Sequence, residues 1–196
     1  MDVKHAEREF TRDKVFSEHK DEILRPLWEQ LSYTGDVLLM RSDNLQKNTG
    51  SDLIIAGDID LIKIDTKHVR GEYDSLFLEE DSCPHRGTPG WLNKPPPNPD
   101  WLSWCFWLHC YGCFDDCRKS SCSEEDILPV RVYLLDYPAL REWFLNHRYL
   151  YPLHHNCTLN RTTGRKVPVS DLSECIISEG VYPVERFRSL LKGGVH

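Results

Sequence analysis

The sequence predicts an α+β fold, in which an N-terminal helix and C-terminal helices accompany a small antiparallel β-meander. Apolar residues recur at helical spacing up to residue 31, short Val- and Ile-rich runs alternate with turn residues up to residue 78, and helical spacing returns after residue 138. A Cys/His-rich loop region lies between these parts, and we expect bound zinc to order it. We divide the chain into 1–80 (helix plus β-meander), 81–128 (zinc-binding segment) and 129–196 (strand and C-terminal helices on the same domain).

The first helix is predicted over Ala6–Leu31. Its apolar residues follow the i, i+3, i+4, i+7 pattern of one helix face: Leu24, Leu27, Trp28 and Leu31. Pro26 predicts a kink, because proline lacks the N–H that a helix interior uses. Thr34-Gly35 is expected to end the helix.

The meander is predicted from four short runs rich in Val, Ile, Leu and Phe: Asp36–Arg41, Asp52–Ala56, Ile59–Asp65 and Glu72–Leu78. Turn residues, including Gly50 and Gly57, separate the runs. The elements predicted after the Cys-rich region are one strand and three helices: Pro129–Leu135, Pro138–His147, Ser170–Ile177 and Pro183–Leu191.

The composition limits the classes of partner. The chain has 196 residues, of which 40% are hydrophobic, and its net charge is −7. Because a polyanion requires a basic surface, this charge argues against nucleic acid as the main partner. The sequence contains neither a secretory signal nor an apolar run of membrane-spanning length, so we expect no membrane partner and a cytoplasmic or nuclear location.

Clustered cysteines are the main chemical feature of the sequence. Six of the eight cysteines fall between Cys83 and Cys122, and in a reducing compartment they are expected to be thiols or metal ligands. The candidate zinc ligands are Cys83, His85, Cys105, His109, Cys110, Cys113, Cys117 and Cys122. The Cys110-x-x-Cys113 spacing lets two thiolates from one turn reach one ion, and enough ligands are present to close a structural site. Ordinary buried thiols are the alternative, and the choice of four ligands and the number of ions stay open.

Two motifs in this region resemble known families. Cys83-Pro84-His85-Arg86-Gly87 is similar to the first half of the Rieske iron–sulfur motif, but Leu108 stands where the second half requires His. The run Trp107-Leu108-His109-Cys110-Tyr111-Gly112-Cys113 resembles the Trp-x-Leu-His-Cys-x-Cys segment of the adenoviral early-region adaptor family, with one inserted residue. This second resemblance covers fewer than ten residues and implies a viral early protein that binds host proteins.

A further resemblance concerns the C-terminal region. Pro152-Leu153-x-x-x-Cys157 resembles the elongin-binding box of ubiquitin-ligase adaptors, although Arg161 replaces an apolar residue of that box. Phe187 and Leu190 correspond to later apolar positions of the cullin-selecting box. The resemblance implies a non-enzymatic, zinc-binding adaptor that recruits elongin and a cullin through Leu153, Cys157, Phe187 and Leu190. Two ordinary amphipathic helices are the alternative interpretation.

A cysteine-dependent hydrolase or acyltransferase is the alternative function. A cysteine nucleophile needs a histidine that accepts its proton. Cys157 is the candidate nucleophile, and His68, near the predicted strands, is the candidate base.

Overall fold

The helices and strands of this computed structural model form three layers. The structure describes residues 24–39, 43–70, 73–109, 127–155 and 162–182. The helices are α1 (24–31), α2 (Asp43–Thr49) and α3 (Tyr137–His147). Helix α1 packs on one face of a six-stranded sheet, and α3 and a four-stranded sheet pack on the other face.

The six-stranded sheet, called the first sheet, has the strand order β1-β2-β3-β6-β7-β10. Its strands are β1 (Val37–Leu39), β2 (Leu53–Ala56), β3 (Leu61–Arg70), β6 (Trp101–His109), β7 (Ile127–Asp136) and β10 (Ile176–Tyr182). Strands β1 to β3 form an antiparallel meander, and β3 then pairs with β6 in parallel. The chain between β3 and β6 leaves the first sheet and forms part of the second.

The second sheet has four strands in the order β5-β4-β9-β8. Its strands are β4 (Ser75–Cys83), β5 (Thr88–Pro89), β8 (Leu153–His155) and β9 (Thr163–Pro168). Every pair of neighbouring strands in it is antiparallel. Short 3-10 turns complete the described structure: Pro84–Arg86, Arg148–Leu150 and Val169–Cys175.

Two hydrophobic cores lie on opposite faces of the first sheet, because successive strand residues point to opposite sides. Trp28 of α1 packs with Ile64 of β3 and Cys105 of β6 in one core. Leu102 and Phe106 of β6 lie in the other core, with residues of α3 and of the second sheet. Burying one such large side chain stabilises the fold by about 1.5–3 kcal/mol.

Helix α3 attaches the loop that precedes β6 to the rest of the protein. The Asp136 carboxylate caps the helix by accepting a hydrogen bond from Ala139 N at 2.8 Å. From the helix, the Tyr137 hydroxyl donates to Trp91 O at 2.7 Å, and Arg141 Nε donates to Leu92 O at 3.0 Å. These contacts fix Trp91, which lines the site described below.

Several predictions from the sequence are confirmed. The protein is a mixed α+β fold, mostly β-sheet with a few helices. The predicted strand Pro129–Leu135 and helix Pro138–His147 correspond to β7 and α3. The first three predicted strands form the meander, and residues 24–31 are helical.

Other predictions were wrong. The region 81–128 was expected to be loop-rich, but Trp101–His109 is a central strand, and pairing on both sides orders it. The fourth predicted strand, Glu72–Leu78, belongs to the second sheet, because β4 pairs with β9 rather than with β3. The predicted helix Ser170–Ile177 is a 3-10 turn followed by β10. The predicted helix Pro183–Leu191 lies outside the described residues.

None of the described helices has the length and apolar character needed to cross a membrane.

Candidate functional site

A cleft of about 500 Å³ opens where β2 begins, beside β3 and the loop 94–99. Its walls include the carboxylates Asp52 and Asp65, together with the lysines Lys47, Lys67 and Lys94. Acidic and basic side chains in one concave site are typical of a binding or catalytic site.

The hairpin between β2 and β3 brings the two carboxylates together. Leu53, the first residue of β2, pairs with Ile64, and the residues beside this pair, Asp52 and Asp65, both line the cleft. Leu53 and Ile64 point into the core under α1, and the next position on each strand therefore points to the other face. Two carboxylates in one cleft repel each other. The pair requires a compensating positive charge.

Lys67 supplies part of this positive charge. It lies two residues after Asp65 on the same face of β3, and its Nζ is 2.6 Å from Asp65 Oδ2. Burial alone would lower the pKa of Lys67, but the carboxylates of Asp65, Asp52 and Glu79 outweigh burial and raise this pKa. Lys67 is therefore a fixed ammonium ion at neutral pH.

The backbone holds Asp52 in one orientation. Asp52 Oδ2 accepts a hydrogen bond from Thr66 N at 2.9 Å, and Asp52 N donates to Ile64 O at 2.9 Å. Both contacts are to β3, so the position of the Asp52 side chain is coupled to that of Asp65 and Lys67.

A buried hydroxyl beside Asp52 lacks an internal partner. Ser51 is 3% exposed and lines the cleft, and among the described residues its Oγ has no hydrogen-bond partner. An unsatisfied buried hydroxyl costs about 1–3 kcal/mol. A ligand or ordered water in the cleft would remove this cost.

The proline-rich loop forms the rim of the cleft and is attached at several points. Lys63 Nζ donates to Asn98 O at 3.0 Å, and Lys63 N donates to Asp100 Oδ2 at 2.8 Å. Gly50, at φ +68°, lies against the loop so closely that an added Cβ would be 2.2 Å from Pro97 O. The Pro96–Pro97 peptide bond is cis.

The carboxylates and lysines of the cleft match the ligand preferences of a hard divalent cation that also binds a phosphate group. Mg²⁺ uses one or two protein carboxylates and fills its other positions with water and substrate phosphate. The cleft offers Asp52 and Asp65 for the cation, and Lys67 for a phosphate oxygen.

The predicted zinc ligands are only partly within the described residues. Cys83 ends β4 in the second sheet, and His85 lies in the following turn. Cys105 is fully buried under α1, with its Sγ 3.5 Å from Ser103 Oγ, so it lies in a different layer from Cys83. His109 ends β6, and the other predicted ligands lie outside the described residues: Cys110, Cys113, Cys117 and Cys122.

In the part of the chain that the structure describes, no group of three or more His, Cys, Asp or Glu side chains could hold a metal ion. The predicted zinc site, which includes residues outside that part, stays a prediction. The Asp52–Asp65 pair has only two carboxylates, so a cation bound there would take its remaining ligands from water and a phosphate.

The residues predicted to bind a partner or to catalyse thiol chemistry are also only partly described. Leu153 lies in β8, a strand at the edge of the second sheet, whereas the box that it resembles is helical. His68 lies on β3. Their predicted companions Cys157, Phe187 and Leu190 lie outside the described residues, so both roles stay predictions.

Sequence reasoning missed Asp52, Asp65 and Lys67. The predicted strand Ile59–Asp65 ended two residues before Lys67, whereas β3 continues to Arg70 and places Asp65 and Lys67 on one face of the sheet. Asp52 starts the preceding predicted strand, and hairpin pairing brings it to the same point.

No protein-family model, curated protein or solved structure matches this chain. Functional inference therefore depends on the geometry of the cleft.

Proposed function

We propose that this protein is a metal-dependent hydrolase of phosphate diesters, with its centre at Asp52, Asp65 and Lys67. One observation carries the proposal. Two carboxylates, one on β3 and one just before β2, share a cleft with a lysine that contacts one of them at 2.6 Å. The buried, unpartnered Ser51 hydroxyl supports the same site independently.

The reaction consumes one water molecule. The water oxygen forms a bond to phosphorus, the bond between phosphorus and the leaving oxygen breaks, and the leaving oxygen gains a proton. A divalent cation held by Asp52 and Asp65 would neutralise the phosphate and help ionise the attacking water.

Lys67 acts as a positive charge rather than as a general base. A base must be deprotonated near the working pH, but the pKa of Lys67 is raised. Its ammonium group can stabilise the negative charge that builds up on the phosphate oxygens as the bond to the leaving group breaks.

The test uses purified protein with bis(4-nitrophenyl) phosphate and labelled oligonucleotides, in the presence of Mg²⁺ or Mn²⁺ and in EDTA. We expect cleavage that requires the cation and falls at least about 100-fold in Asp65→Asn. Asp52→Asn should behave similarly, and its amide oxygen can still accept from Thr66 N. Asp58→Asn is the matched control, because Asp58 is an exposed turn residue outside the cleft.

A measurement of cation binding distinguishes cleavage by this protein from cleavage by a contaminating enzyme. Calorimetric titration of the wild-type protein with Mn²⁺ should give one binding event that is lost in Asp65→Asn and kept in Asp58→Asn. Cleavage that persists unchanged in both Asp52→Asn and Asp65→Asn would contradict the proposal.

A second candidate function is the predicted adaptor role. The predicted elongin-binding residue Leu153 is 44% exposed, and two large side chains close to it in sequence are also exposed, Tyr149 at 75% and Leu150 at 73%. Exposed apolar patches mark partner-binding surfaces. The test is co-purification with elongin and a cullin, which should be lost in the double variant Leu153→Ala/Cys157→Ala.

The zinc prediction has its own measurement. Metal analysis of the purified protein should give about one or two equivalents of zinc, decreasing when Cys110 or Cys113 is replaced by Ser. For the cysteine-enzyme alternative, a fast-reacting Cys157 thiol that slows in His68→Ala is the expected result.

A further inference from the structure

The cleft continues into a longer groove along β3. A second cavity of about 450 Å³ shares Lys67, Trp91 and Lys94 with the cleft. A third cavity of about 400 Å³ shares Val69, Phe77 and Trp104 with the second. The three cavities therefore lie side by side along β3, and we call this row of cavities the groove.

Alternate residues of β3 line successive parts of the groove. Asp65 lines the first cavity, Lys67 the first and second, and Val69 the second and third. At about 3.3 Å per residue, the strand carries the groove roughly 13 Å from Asp65 to Val69. The opposite wall comes from the second sheet, including Phe77 and Lys166.

Aromatic rings cover the middle and the far end of the groove. Trp91 and Trp104 have their ring centroids 6.2 Å apart, and Tyr73 and Phe106 also lie 6.2 Å apart. All four rings contribute to the walls of the groove, but Trp91, Trp104 and Phe106 are 8% exposed or less, and Tyr73, at 51%, is the ring that is open to a ligand. An exposed ring such as that of Tyr73 can stack on the flat face of an aromatic ligand.

An unused hydrogen-bond donor lies in the same wall. Trp104 is 4% exposed, and its indole Nε1 finds no acceptor among the described residues. A buried N–H without an acceptor costs free energy, and a polar ligand atom in the groove would remove that cost.

The charges divide the groove into zones. Basic or imidazole side chains line its far end, namely Lys166, His154 and His155. Glu79 lies in the middle, where it accepts a hydrogen bond from the Ser82 hydroxyl. An anionic group therefore fits at the far end, and at the cleft when a cation neutralises Asp52 and Asp65, and an uncharged aromatic group fits between them.

From this arrangement we infer that the groove binds single-stranded nucleic acid, with phosphates at the cation cleft and near Lys166, and with a base stacked on Tyr73. A single strand combines regularly spaced anions with accessible base faces. In a duplex those faces are already stacked on each other, so the rings could not reach them. This inference deepens the proposed hydrolase and rests on it, since it names the substrate of the same cleft.

The net charge of −7 is compatible with this restricted mode of binding. Outside the groove, an acidic surface repels nucleic acid, so non-specific binding to duplex should be weak. The groove itself carries Lys67, Lys94 and Lys166 along its length.

The experiment measures binding separately from cleavage. The double variant Asp52→Asn/Asp65→Asn removes the two carboxylates that would repel a phosphate in the absence of the cation. Its folding is checked by circular dichroism. Fluorescence anisotropy then compares a fluorescein-labelled oligothymidylate with a duplex that carries the same strand, and we expect at least tenfold tighter binding of the single strand.

Two substitutions in this background test the groove. Tyr73→Ala should weaken binding of the oligothymidylate roughly 5- to 150-fold, the loss typical of one stacked base. Lys166→Ala should reduce the magnitude of the slope of log K against log salt concentration by about 0.7, which is the change expected for one lost phosphate contact.

The matched controls lie outside the groove. Tyr33→Ala removes a tyrosine ring that is 73% exposed, and Arg25→Ala removes a surface charge on α1, and neither should change binding. Equal affinity for duplex and single strand, or unchanged binding in both Tyr73→Ala and Lys166→Ala, would overturn the inference. Binding that follows these expectations without any cation-dependent cleavage by the wild-type protein would support the groove and overturn only the proposed hydrolase.

Discussion

Replacement of Gly50 by Ala tests whether the proline-rich loop shapes the cleft. Gly50 follows α2, its N–H donates to Gln46 O at 2.8 Å, and its φ is +68°. A residue with a Cβ costs about 1–2 kcal/mol in this left-handed region. Part of this cost is offset because Ala also reduces the freedom of the unfolded chain by about 0.4–1 kcal/mol. The net conformational cost is about 1 kcal/mol.

The larger effect is a steric clash with the loop. The new Cβ would lie 2.2 Å from Pro97 O, whereas C···O contacts lie at about 3.3–3.6 Å, so the loop or α2 must shift by roughly 1 Å. Overpacking of this kind costs about 1–3 kcal/mol. Gly50→Ala should therefore lower the free energy of unfolding by about 2–4 kcal/mol, which corresponds to about 10 °C in Tm for a chain of this size.

Gly35→Ala is the matched control. Gly35 also has a positive φ, +79°, but an added Cβ would meet nothing within 4 Å. This variant should lose only the conformational term of about 1 kcal/mol, or about 2–4 °C in Tm. The difference between the two variants isolates the contact with Pro97.

The assays are urea unfolding, thermal unfolding and the cation-dependent cleavage rate. Gly50 and Pro97 both line the cleft, and a 1 Å displacement of a site can lower a rate by about 100-fold. Gly50→Ala should therefore lose both stability and activity, and Gly35→Ala should keep its activity. If the two variants melt within about 1 °C of each other, the loop does not lie against Gly50 and this reasoning is wrong.

Three further predictions concern stability. Burial and the hydrogen bond to Asp171 raise the pKa of Tyr151 to about 12. Because the tyrosine of the unfolded chain loses its proton near pH 10, the folded state loses stability as pH rises from about 10 to about 12. In urea unfolding, the stability of the wild type relative to Tyr151→Phe should therefore fall over this range. The pKa of Lys67 is also raised in the folded protein, so Lys67 contributes stability below pH 10.5, the pKa of an unfolded lysine, and this contribution is lost as pH rises through the folded pKa. The difference in unfolding free energy between wild type and Lys67→Met should therefore shrink in that alkaline range. Leu102→Ala should cost about 2–5 kcal/mol in urea unfolding because Leu102 is fully buried, whereas Leu38→Ala, at a 61% exposed site, should cost much less.

Local sequence patterns predicted the helices and strands that depend on residues close together in sequence. Helix α3 was predictable because Leu140 and Phe144 repeat at helical spacing and Asp136 can cap the first turn. The meander was predictable because short apolar runs are separated by Gly-containing turns.

The central strand β6 was missed for a physical reason. Its nine residues are mostly apolar, with no period of two, because the strand is covered on both faces. A nearby cluster of cysteines also suggested that metal, rather than sheet pairing, ordered this region. Only long-range pairing with β3 and β7 identifies the segment as a strand.

The net charge of the chain does not describe the charge of the cleft. A value of −7 averages over the whole surface, whereas the cleft gathers Lys47, Lys67 and Lys94 around two carboxylates. Local potential depends on how charges are arranged in space, which composition does not record.

The sequence by itself determined the α+β class, the helix after residue 136 and the meander, because each depends on periodicities that a short segment carries. Only the tertiary structure decided that Asp52, Asp65 and Lys67 line one cleft. The same holds for the groove, whose walls come from two sheets far apart in sequence. Strand register and sheet packing are set by the burial of both cores together, and no single segment contains that information.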